Sequence, residues 1–375
     1  MANNTHLKYM KLAFREAEKA RGTCSPNPFV GAVIVKQDQV IAKGHTQQYG
    51  SDHAEVDALA KAGEKARGAD IYVTLEPCSH YGKTPPCTEA IIKAGIKRVF
   101  FGMRDPNPLI KGDGSFDDPS PGMLSLRNAG IEVHEGLIHD EIAIQLESFL
   151  CRIHKRRPFV TWKTALSLDG KYAANDGSAR WISNALSRKM THRLREQSDI
   201  VLTGIGTLLC DDPQLNVRLP KPKRQPLIAL LDPFLDIPLS AKVLNDTMSN
   251  PLLIYYSQNG ADESRIIGLK ALGAQLIPVP GNKEKLDLNA ILEHLYQLGK
   301  NSVLLECGSK LASSFFALRL VDKCHIFYGN KLIGGGRSIL SELPLPNIKD
   351  AIGLDIISVR RLDSDIHVSA YPIFS

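Results

Sequence analysis

One histidine and two cysteines in the first third of the chain have the residue types and spacing of a zinc site. His53 opens a His-Ala-Glu triplet that ends at Glu55, and Cys78 and Cys87 enclose an eight-residue loop. Three protein ligands leave the fourth tetrahedral position of Zn²⁺ open for water, which is typical of catalytic rather than structural sites. In zinc deaminases the metal activates water, and a Glu that does not bind the metal moves protons to the departing amine. Glu55 is the candidate for that role.

Two predicted helices position these groups. The apolar pattern after His53 predicts a helix that begins near that residue and holds Glu55 in its first turn. Residues Thr88 to Ala94 predict a second helix directly after Cys87. A helix N-terminus favours the thiolate that zinc requires, so the pattern suits a metal ligand at Cys87.

Each of these residues also has a simpler interpretation, because His-x-Glu is often a surface pair and small cysteines often lie in cores. If zinc is bound, a nucleic-acid or free-cytidine deaminase is one alternative. Such enzymes generally have Cys-x-x-Cys, whereas eight residues separate Cys78 from Cys87 here. A non-enzymatic zinc-stabilised binding module is another alternative, against which an acidic Glu55 beside the metal argues.

The composition predicts a soluble cytoplasmic protein of two domains. The chain has 375 residues, 43% of them hydrophobic, and its seven cysteines suit a reducing compartment better than a secreted framework. The net charge of +6 is spread along the chain without the basic blocks of nucleic-acid tails. We therefore expect an anionic small substrate and no nucleic-acid partner. No apolar run reaches transmembrane length, so we expect no membrane partner.

Strand-like runs alternate with helical runs in the first part of the chain, which predicts a mixed α/β sheet covered by helices. Asn27 lies in a proline-bounded turn, where it either forms the turn or reads the edge of a heterocycle. Asp105 and Asn107 follow a predicted strand, at the end where open sheets place ligands. They are turn residues or substrate contacts.

The basic segment 154–158 predicts a linker between domains at 1–150 and 151–375. In the second domain, Gly204-x-Gly206 follows a strand and could approach a phosphate, although the full dinucleotide fingerprint is absent. Cys307 to Lys310 opens a helix and is a better pyrophosphate site, since free amides there meet an anion beside Lys310. The glycine-rich turn 331–336 is either a surface loop or a binding element.

Four segments of the first half resemble the deaminase half of the bifunctional riboflavin-biosynthesis deaminase/reductase family: 27–31, 53–55, 76–87 and 104–108. The resemblance extends over nearly the whole chain. It implies an N-terminal cytidine-deaminase-like, three-layer mixed sheet, with one Zn²⁺ per chain on His53, Cys78 and Cys87. It further implies that Glu55 is the catalytic proton shuttle and that the deaminase substrate is bound by Asn27, His45, His80, Lys83, Asp105 and Asn107.

For the second half the resemblance implies a dihydrofolate-reductase-like α/β domain that uses NADPH. The implied cofactor-binding residues are Ala165, Trp181, Thr207, Asp211, Gly308, Ser309, Lys310 and Leu311. The implied reductase substrate residues are Lys163, Arg195, Leu215, Arg218 and Glu306.

The chain departs from the family pattern at three places. The segment between His45 and His53 is one residue longer than usual, Ser115 to Gly122 looks like an insertion, and Ala179 replaces a usual Ser. The expected activity is zinc-dependent deamination of a phosphorylated pyrimidine, followed by NADPH-dependent reduction of its ribosyl group to ribityl. The family also suggests a homo-oligomer.

Overall fold

The computed structural model describes residues 2–107, 119–258, 262–282 and 285–374. By its internal contacts the chain divides into two compact units, Met1–Arg156 and Arg157–Ser375. The division falls within the basic segment 154–158. No helix in the described part of the chain is both long and apolar enough to cross a membrane.

Unit 1 is a five-stranded mixed sheet with helices on both faces. Its strands are β1 (Gly31–Lys36), β2 (Gln39–His45), β3 (Asp70–Leu75), β4 (Arg98–Met103) and β5 (Glu132–Glu135). Its helices are α1 (Ala2–Ala17), α2 (Ala54–Ala62), α3 (Cys87–Ala94), α4 (Pro121–Asn128), α5 (His139–Gln145) and α6 (Glu147–Lys155), with a 3-10 turn at Gly63–Ala66.

The strand order in this sheet is β2-β1-β3-β4-β5, and β1 runs antiparallel to both of its neighbours. Two glycines allow helices to approach the sheet from opposite sides. A Cβ on Gly31 would lie 2.0 Å from the Ala13 carbonyl oxygen of α1, and one on Gly44 would lie 2.3 Å from the Ala54 carbonyl oxygen of α2. The predicted three-layer α/β fold is therefore confirmed for this half.

Unit 2 is built on a nine-stranded sheet of order β11-β10-β9-β8-β14-β6-β15-β18-β17. The seven neighbouring strands β11, β10, β9, β8, β14, β6 and β15 are parallel to one another. At one side of the sheet, β18 pairs antiparallel with β15, and β17 pairs antiparallel with β18. Two short ladders, β12 with β13 and β7 with β16, lie outside it. The strands are β6 (Phe159–Ser167), β7 (Lys171–Ala173), β8 (Ile200–Gly204), β9 (Leu227–Leu231), β10 (Leu252–Ser257), β11 (Gln275–Val279), β12 (Gly281–Asn282), β13 (Lys285–Leu286), β14 (Ser302–Leu305), β15 (Lys323–Gly329), β16 (Arg337–Ser338), β17 (Gly353–Leu362) and β18 (Asp365–Ile373).

The helices of unit 2 cover both faces of its parallel strands, which are accordingly almost continuously apolar. In β8, Ile200 and Leu202 enter one core cluster, whereas the intervening Val201 enters another. This alternation places apolar side chains against helices on both sides of the sheet, as the α/β prediction requires. The helices are α7 (Ala185–Gln197), α8 (Ile205–Asp211), α9 (Glu263–Ala271), α10 (Leu288–Gln297) and α11 (Ser309–Ala317), with 3-10 turns at Lys242–Leu244 and Ile348–Asp350.

A largely buried pair of histidines lies in the antiparallel part of this sheet. His325 Nδ1 on β15 and His367 Nε2 on β18 are 2.8 Å apart, and their rings stack at 5.0 Å between centroids. Burial lowers the pKa of His325 to about 3 and that of His367 to about 4. The unfolded chain, with a histidine pKa of about 6.5, binds protons at pH values where the folded chain does not. The pair therefore stabilises unit 2 fully above about pH 7, and we expect that stabilisation to be lost as the pH falls from about 6.5 toward 4.

Urea unfolding between pH 4.5 and 8 tests this expectation. Between pH 6.5 and 4.5, the wild type should lose about 1–2 kcal/mol more unfolding free energy per pH unit than the variant His325→Leu/His367→Leu. Apolar replacement of both partners leaves no half of the pair without its hydrogen bond. Parallel pH curves for the two proteins would show that the pair does not control acid stability.

Candidate functional site

One edge of the unit 1 sheet collects the segments that carry the predicted chemistry. The start of β1 pairs with the end of β2, at Gly31 and His45, and lies beside the end of β3. Strand β4 runs parallel to β3, so its end lies at the same edge. The segments that meet there are 27–30, 46–53, 76–87 and 104–107.

The structure brings the three predicted metal ligands together. The His53 Nδ1 atom lies 3.6 Å from the Cys78 Sγ atom and 3.4 Å from the Cys87 Sγ atom. The ligand atoms all lie within 4.8 Å of one another. One imidazole nitrogen and two sulfurs form a donor set that suits Zn²⁺ and leaves one tetrahedral position for water, so the residues fit the metal.

Helix starts hold the ligands in place, as the sequence predicts. His53 is the N-cap residue of α2, and Cys87 is the first residue of α3. The Cys87 backbone N–H donates to Cys78 Sγ over 3.3 Å, and the Thr88 N–H donates to the Cys78 carbonyl over 3.2 Å. These bonds fix the Cys78 loop against the N-terminus of α3. A hydrogen bond from the Cys87 thiol lowers the pKa of Cys78 to about 4, which favours the thiolate form that binds metal.

Glu55 lies in the first turn of α2 with 4% of its surface exposed. Burial raises the pKa of its carboxyl to about 7. Its helix position places it two residues from His53 and within the electrostatic influence of both sulfurs. Glu55 is thus a buried carboxyl group that lies beside the metal ligands and is not one of them. A proton shuttle requires such a position.

Asp105 and Asn107 form a short turn after β4, and the Asn107 N–H donates to Asp105 Oδ1 over 2.9 Å. Burial raises the pKa of Asp105, whereas His80, Cys78 and His53 act on it electrostatically. The turn therefore lies beside the metal ligands. In the loop between the cysteines, His80 and Lys83 are exposed, and the Lys83 ammonium stands 4.2 Å above the ring of Tyr49.

Asn27 lies in the turn before β1, and its N–H donates to the Cys24 carbonyl over 3.0 Å. Thr46 fastens this turn to the end of β2. Its hydroxyl accepts from the Val30 N–H over 2.9 Å and donates to the Pro28 carbonyl over 3.0 Å. Asn27 is thus held at the sheet edge where the ligand loops lie, in a turn that the sequence also predicts.

The structure does not bring His45 to the metal ligands. Successive residues of a strand point to opposite faces, and Gly44 faces α2, so the His45 side chain faces α1. There its Nδ1 lies 3.3 Å from Glu16 Oε1. The assignment of His45 as a substrate contact therefore stays a prediction from the resemblance, which this placement beside Glu16 does not support.

A cleft of about 1810 Å³ lies in unit 2, where the ends of the central parallel strands meet the starts of α8 and α11. Every residue predicted for the second site lines it. Those predicted for cofactor are Ala165, Trp181, Thr207, Asp211, Gly308, Ser309, Lys310 and Leu311, and those predicted for substrate are Lys163, Arg195, Leu215, Arg218 and Glu306. Ala179 also lines the cleft.

Two family descriptions match the chain, one in each unit. The family described as "Cytidine and deoxycytidylate deaminase zinc-binding region" matches residues 3–103, and "RibD C-terminal domain" matches residues 158–368. The chain is 41% identical to the riboflavin biosynthesis protein RibD of Aquifex aeolicus over 96% of each chain, and 38% identical to that of Bacillus amyloliquefaciens over 97% of this chain and 95% of the relative. The chain belongs to the RibD family of bifunctional riboflavin biosynthesis proteins.

Solved RibD structures agree across both units. The diaminohydroxyphosphoribosylaminopyrimidine deaminase/5-amino-6-(5-phosphoribosylamino)uracil reductase of Thermotoga maritima matches with a TM-score of 0.85 at 35% identity, covering 99% of this chain and 100% of its own. Acinetobacter baumannii RibD matches with a TM-score of 0.85 at 34% identity, covering 99% of each chain. As a RibD protein the chain is an enzyme with a zinc-dependent deaminase half and an NADPH-dependent reductase half, so the binding-module and nucleic-acid deaminase alternatives are wrong.

Three charged side chains form a buried cluster in the reductase cleft. Arg195 Nε lies 2.5 Å from Glu306 Oε1, and Lys163 Nζ lies 3.6 Å from Glu306 Oε2. Burial by itself raises the pKa of Glu306, but Arg195 and Lys163 outweigh it and lower that pKa to about 2. Burial lowers the pKa of Lys163. The cluster leaves the cleft with excess positive charge in the region predicted to face a phosphorylated substrate.

The starts of α8 and α11 lie side by side in the cleft. The Thr207 hydroxyl accepts from the Gly308 N–H over 3.1 Å, which joins the two predicted phosphate-binding turns. The N-cap of each helix is a glycine without a side-chain cap, so backbone amides at these ends remain available to an anion. Both turns therefore line one cleft rather than separate ones.

Sequence reasoning missed several cleft residues. Arg188 is one of them, and its guanidinium lies 4.5 Å from the ring centroid of the predicted Trp181, which is 59% exposed. The helical spacing of residues 188, 192 and 195 on α7 could have indicated one shared face, with Arg195 already singled out. Phe234, Lys242 and Arg337 also line the cleft, and no local motif marks them.

Proposed function

We propose that unit 1 performs the hydrolytic deamination of the diamino-ribosylaminopyrimidinone 5′-phosphate and that unit 2 then reduces the ribosyl group to ribityl. The observation that carries this proposal is the cluster of His53, Cys78 and Cys87 beside the buried Glu55. It occurs in a chain whose RibD relatives match over both units. The assignment of each step to its unit is supported by the family matches to the two units, and the roles of individual residues are proposed from the resemblance and from where those residues lie.

In the deamination step, His53, Cys78 and Cys87 hold the zinc ion. Zinc supplies the Lewis acidity that makes a nucleophile from water near neutral pH. Glu55 accepts one proton from the attacking water and delivers it to the ring nitrogen. It then takes the second proton from the hydroxyl group now on the ring carbon and passes it to the amino group, which departs as ammonia while the ring carbonyl forms. The burial of Glu55 excludes bulk water from this transfer and keeps the carboxyl close to the reacting atoms.

The loops around the ligands bind the rest of the substrate. Asp105 and Asn107 offer hydrogen-bonding groups to the pyrimidine and ribose, and Asn27 offers an amide on the opposite side of the same edge. His80 and Lys83 lie exposed in the inter-cysteine loop and contact the phosphate. Lys83 is held against the ring of Tyr49, which restricts its motion.

In the reduction step, the reductase cleft would hold NADPH, which would supply the hydride for the sugar carbon in its open aldehyde or imine form. The amides of 308–311 bind pyrophosphate, and Ala165, Trp181, Thr207 and Asp211 line the remainder of the cofactor site. Lys163, Arg195 and Arg218 hold the ribose phosphate, whereas Glu306 fixes the orientation of Lys163 and Arg195. Leu215 closes the apolar side of the substrate site.

Self-association through β17 is also part of the proposal. This edge strand of the nine-stranded sheet exposes Ile356, Ile357 and Val359, which are 57%, 43% and 62% exposed. An exposed apolar strand edge favours pairing with a second copy of the chain. If β17 pairs with a second copy, the variant Val359→Lys should sediment with a lower mass than the wild-type protein. An equal mass for the two proteins would show that β17 is not the interface.

A cytoplasmic location is proposed from the composition, because seven cysteines in 375 residues, an odd number without a dense framework, suit a reducing compartment better than a secreted one. Cell fractionation tests it, since recovery of the protein in a secreted fraction would contradict it.

The function is tested by supplying the diaminopyrimidine substrate together with NADPH. Ammonia release and the loss of nicotinamide absorbance are followed in the same sample. We expect ammonia to appear first and NADPH oxidation to depend on it. NADPH oxidation without ammonia release, or ammonia release that never leads to oxidation, would contradict a two-step enzyme.

A further inference from the structure

Glu76 is a buried carboxyl group that neither reaction step uses. It lies directly after β3, two residues before Cys78, with 5% of its surface exposed. Its backbone N–H donates to the Met103 carbonyl over 2.9 Å and so extends the pairing of β3 with β4. A buried carboxylate is retained only where hydrogen bonds offset its desolvation, so its partners indicate its role.

The partners of Glu76 come from two other segments of the chain. Its Oε2 atom accepts from the backbone N–H of Asp105 over 3.3 Å, and its Oε1 atom accepts from the Ser120 hydroxyl. Ser120 in turn caps α4, since its Oγ atom accepts from the Met123 N–H over 3.3 Å. One carboxylate thus joins the loop of Cys78, the turn of Asp105 and the start of α4.

Close packing supports the same junction. A Cβ on Gly122 would lie 2.8 Å from Glu76 Oε1 and 2.9 Å from the Pro77 carbonyl oxygen, so the chain at this point touches the loop that leads to Cys78. Gly122 ends the sequence insertion Ser115 to Gly122. Residues 115–118 lie outside the described residues, and the remainder, 119–122, is what contacts Glu76.

We propose that Glu76 is a positioning residue for the deaminase: it accepts the Asp105 N–H and the Ser120 hydroxyl, and thereby holds the Asp105 turn in its substrate-binding position beside the metal ligands. This inference rests on the proposed function of unit 1. It gives the end of the insertion a role, because Ser120 and Gly122 lie against Oε1 of the carboxylate, whereas the Asp105 N–H donates to Oε2. Glu76 acts through Asp105 and does not touch the reacting atoms.

Two substitutions separate this role from general stability. Glu76→Met keeps the volume of the side chain but removes both acceptors. Glu76→Gln keeps one acceptor, because its amide oxygen can face the Asp105 N–H while its NH₂ group faces the Ser120 hydroxyl oxygen. Glu64→Met, at an exposed site on the same unit, is the matched control for loss of a carboxylate.

The full-length variants are assayed for the KM and kcat of ammonia release, zinc content, NADPH oxidation with deaminated substrate, and amide hydrogen exchange at Asp105. Glu76→Met should raise KM about tenfold with a smaller change in kcat, as expected when a buried amide loses its acceptor. It should keep one zinc per chain and wild-type NADPH oxidation, and it should lose exchange protection at Asp105. Glu76→Gln should recover KM to within about threefold of the wild type and restore that protection.

Several results would overturn the inference. They are an unchanged KM in Glu76→Met, equal KM values for the Met and Gln variants, or loss of zinc from Glu76→Met, which would assign Glu76 to the metal loop alone. A similar rise of KM in Glu64→Met would also overturn it. Absence of ammonia release from the wild type would refute the proposed function and this inference with it.

Discussion

Glu55→Gln is expected to lower the rate of ammonia release by about 10³-fold, within the usual range for loss of a general acid–base group. Glutamine keeps the shape of the buried side chain in the first turn of α2 but cannot accept and return a proton. His53, Cys78 and Cys87 are unchanged, so the variant should still bind one zinc per chain. The measurement is ammonia release at saturating substrate together with zinc content.

The reductase half of the same protein provides an internal control for this prediction. NADPH oxidation with supplied deaminated substrate should be unchanged in Glu55→Gln, because the reductase residues lie in the other unit. Glu64 is an exposed carboxyl group nine residues after Glu55, and the control variant Glu64→Gln should leave both activities unchanged. Full ammonia release from a zinc-loaded Glu55→Gln variant would rule out Glu55 as the proton shuttle.

Arg195→Met is expected to have the largest effect on unit 2. It removes the closer of the two ion-pair partners of the buried Glu306 carboxylate in the described residues and leaves Lys163, 3.6 Å away. Breaking a buried ion pair from one side costs about 3–5 kcal/mol, so the free energy of unfolding of this unit should fall by that amount. NADPH oxidation should fall by about 100-fold or more, since a substrate-side cation and the orientation of Glu306 are lost together.

The double variant Arg195→Met/Glu306→Leu separates stability from activity. Removing both members of the pair relieves the unpaired carboxylate, and Lys163 can adopt its neutral form when buried, so part of the lost stability should return. NADPH oxidation should not return, whereas ammonia release should stay at the wild-type rate throughout. If Arg195→Met keeps both its stability and its NADPH oxidation, the buried cluster has no role in either.

The sequence predicts the metal centre well because its geometry is local. His53 and Cys87 stand at helix starts that the apolar pattern marks, and ligand chemistry restricts the residue types. The loop between the cysteines then needs only to place Cys78 close to His53 and Cys87. The reductase cleft is predicted for a different reason, since its residues were carried over by resemblance and all of them line one cavity.

What the sequence does not reveal has a common physical cause, which is contact between distant parts of the chain. His45 was assigned by resemblance, but the face of β2 on which it lies depends on the register of β2 with β1 and on the position of α1. Glu76 accepts a hydrogen bond from Ser120, which is 44 residues later in the sequence, and no local sequence pattern predicts that contact. Arg337 reaches the cleft from a short ladder, β16, whose existence the sequence does not predict.

Zinc K-edge X-ray absorption on the purified full-length protein tests the central claim most directly. We predict one zinc per chain, with one nitrogen ligand at about 2.0 Å and two sulfur ligands at about 2.3 Å, and loss of sulfur ligands in Cys87→Ser. Protein that releases ammonia from the pyrimidine substrate with no zinc bound, or with zinc in a shell that lacks sulfur, would contradict the account.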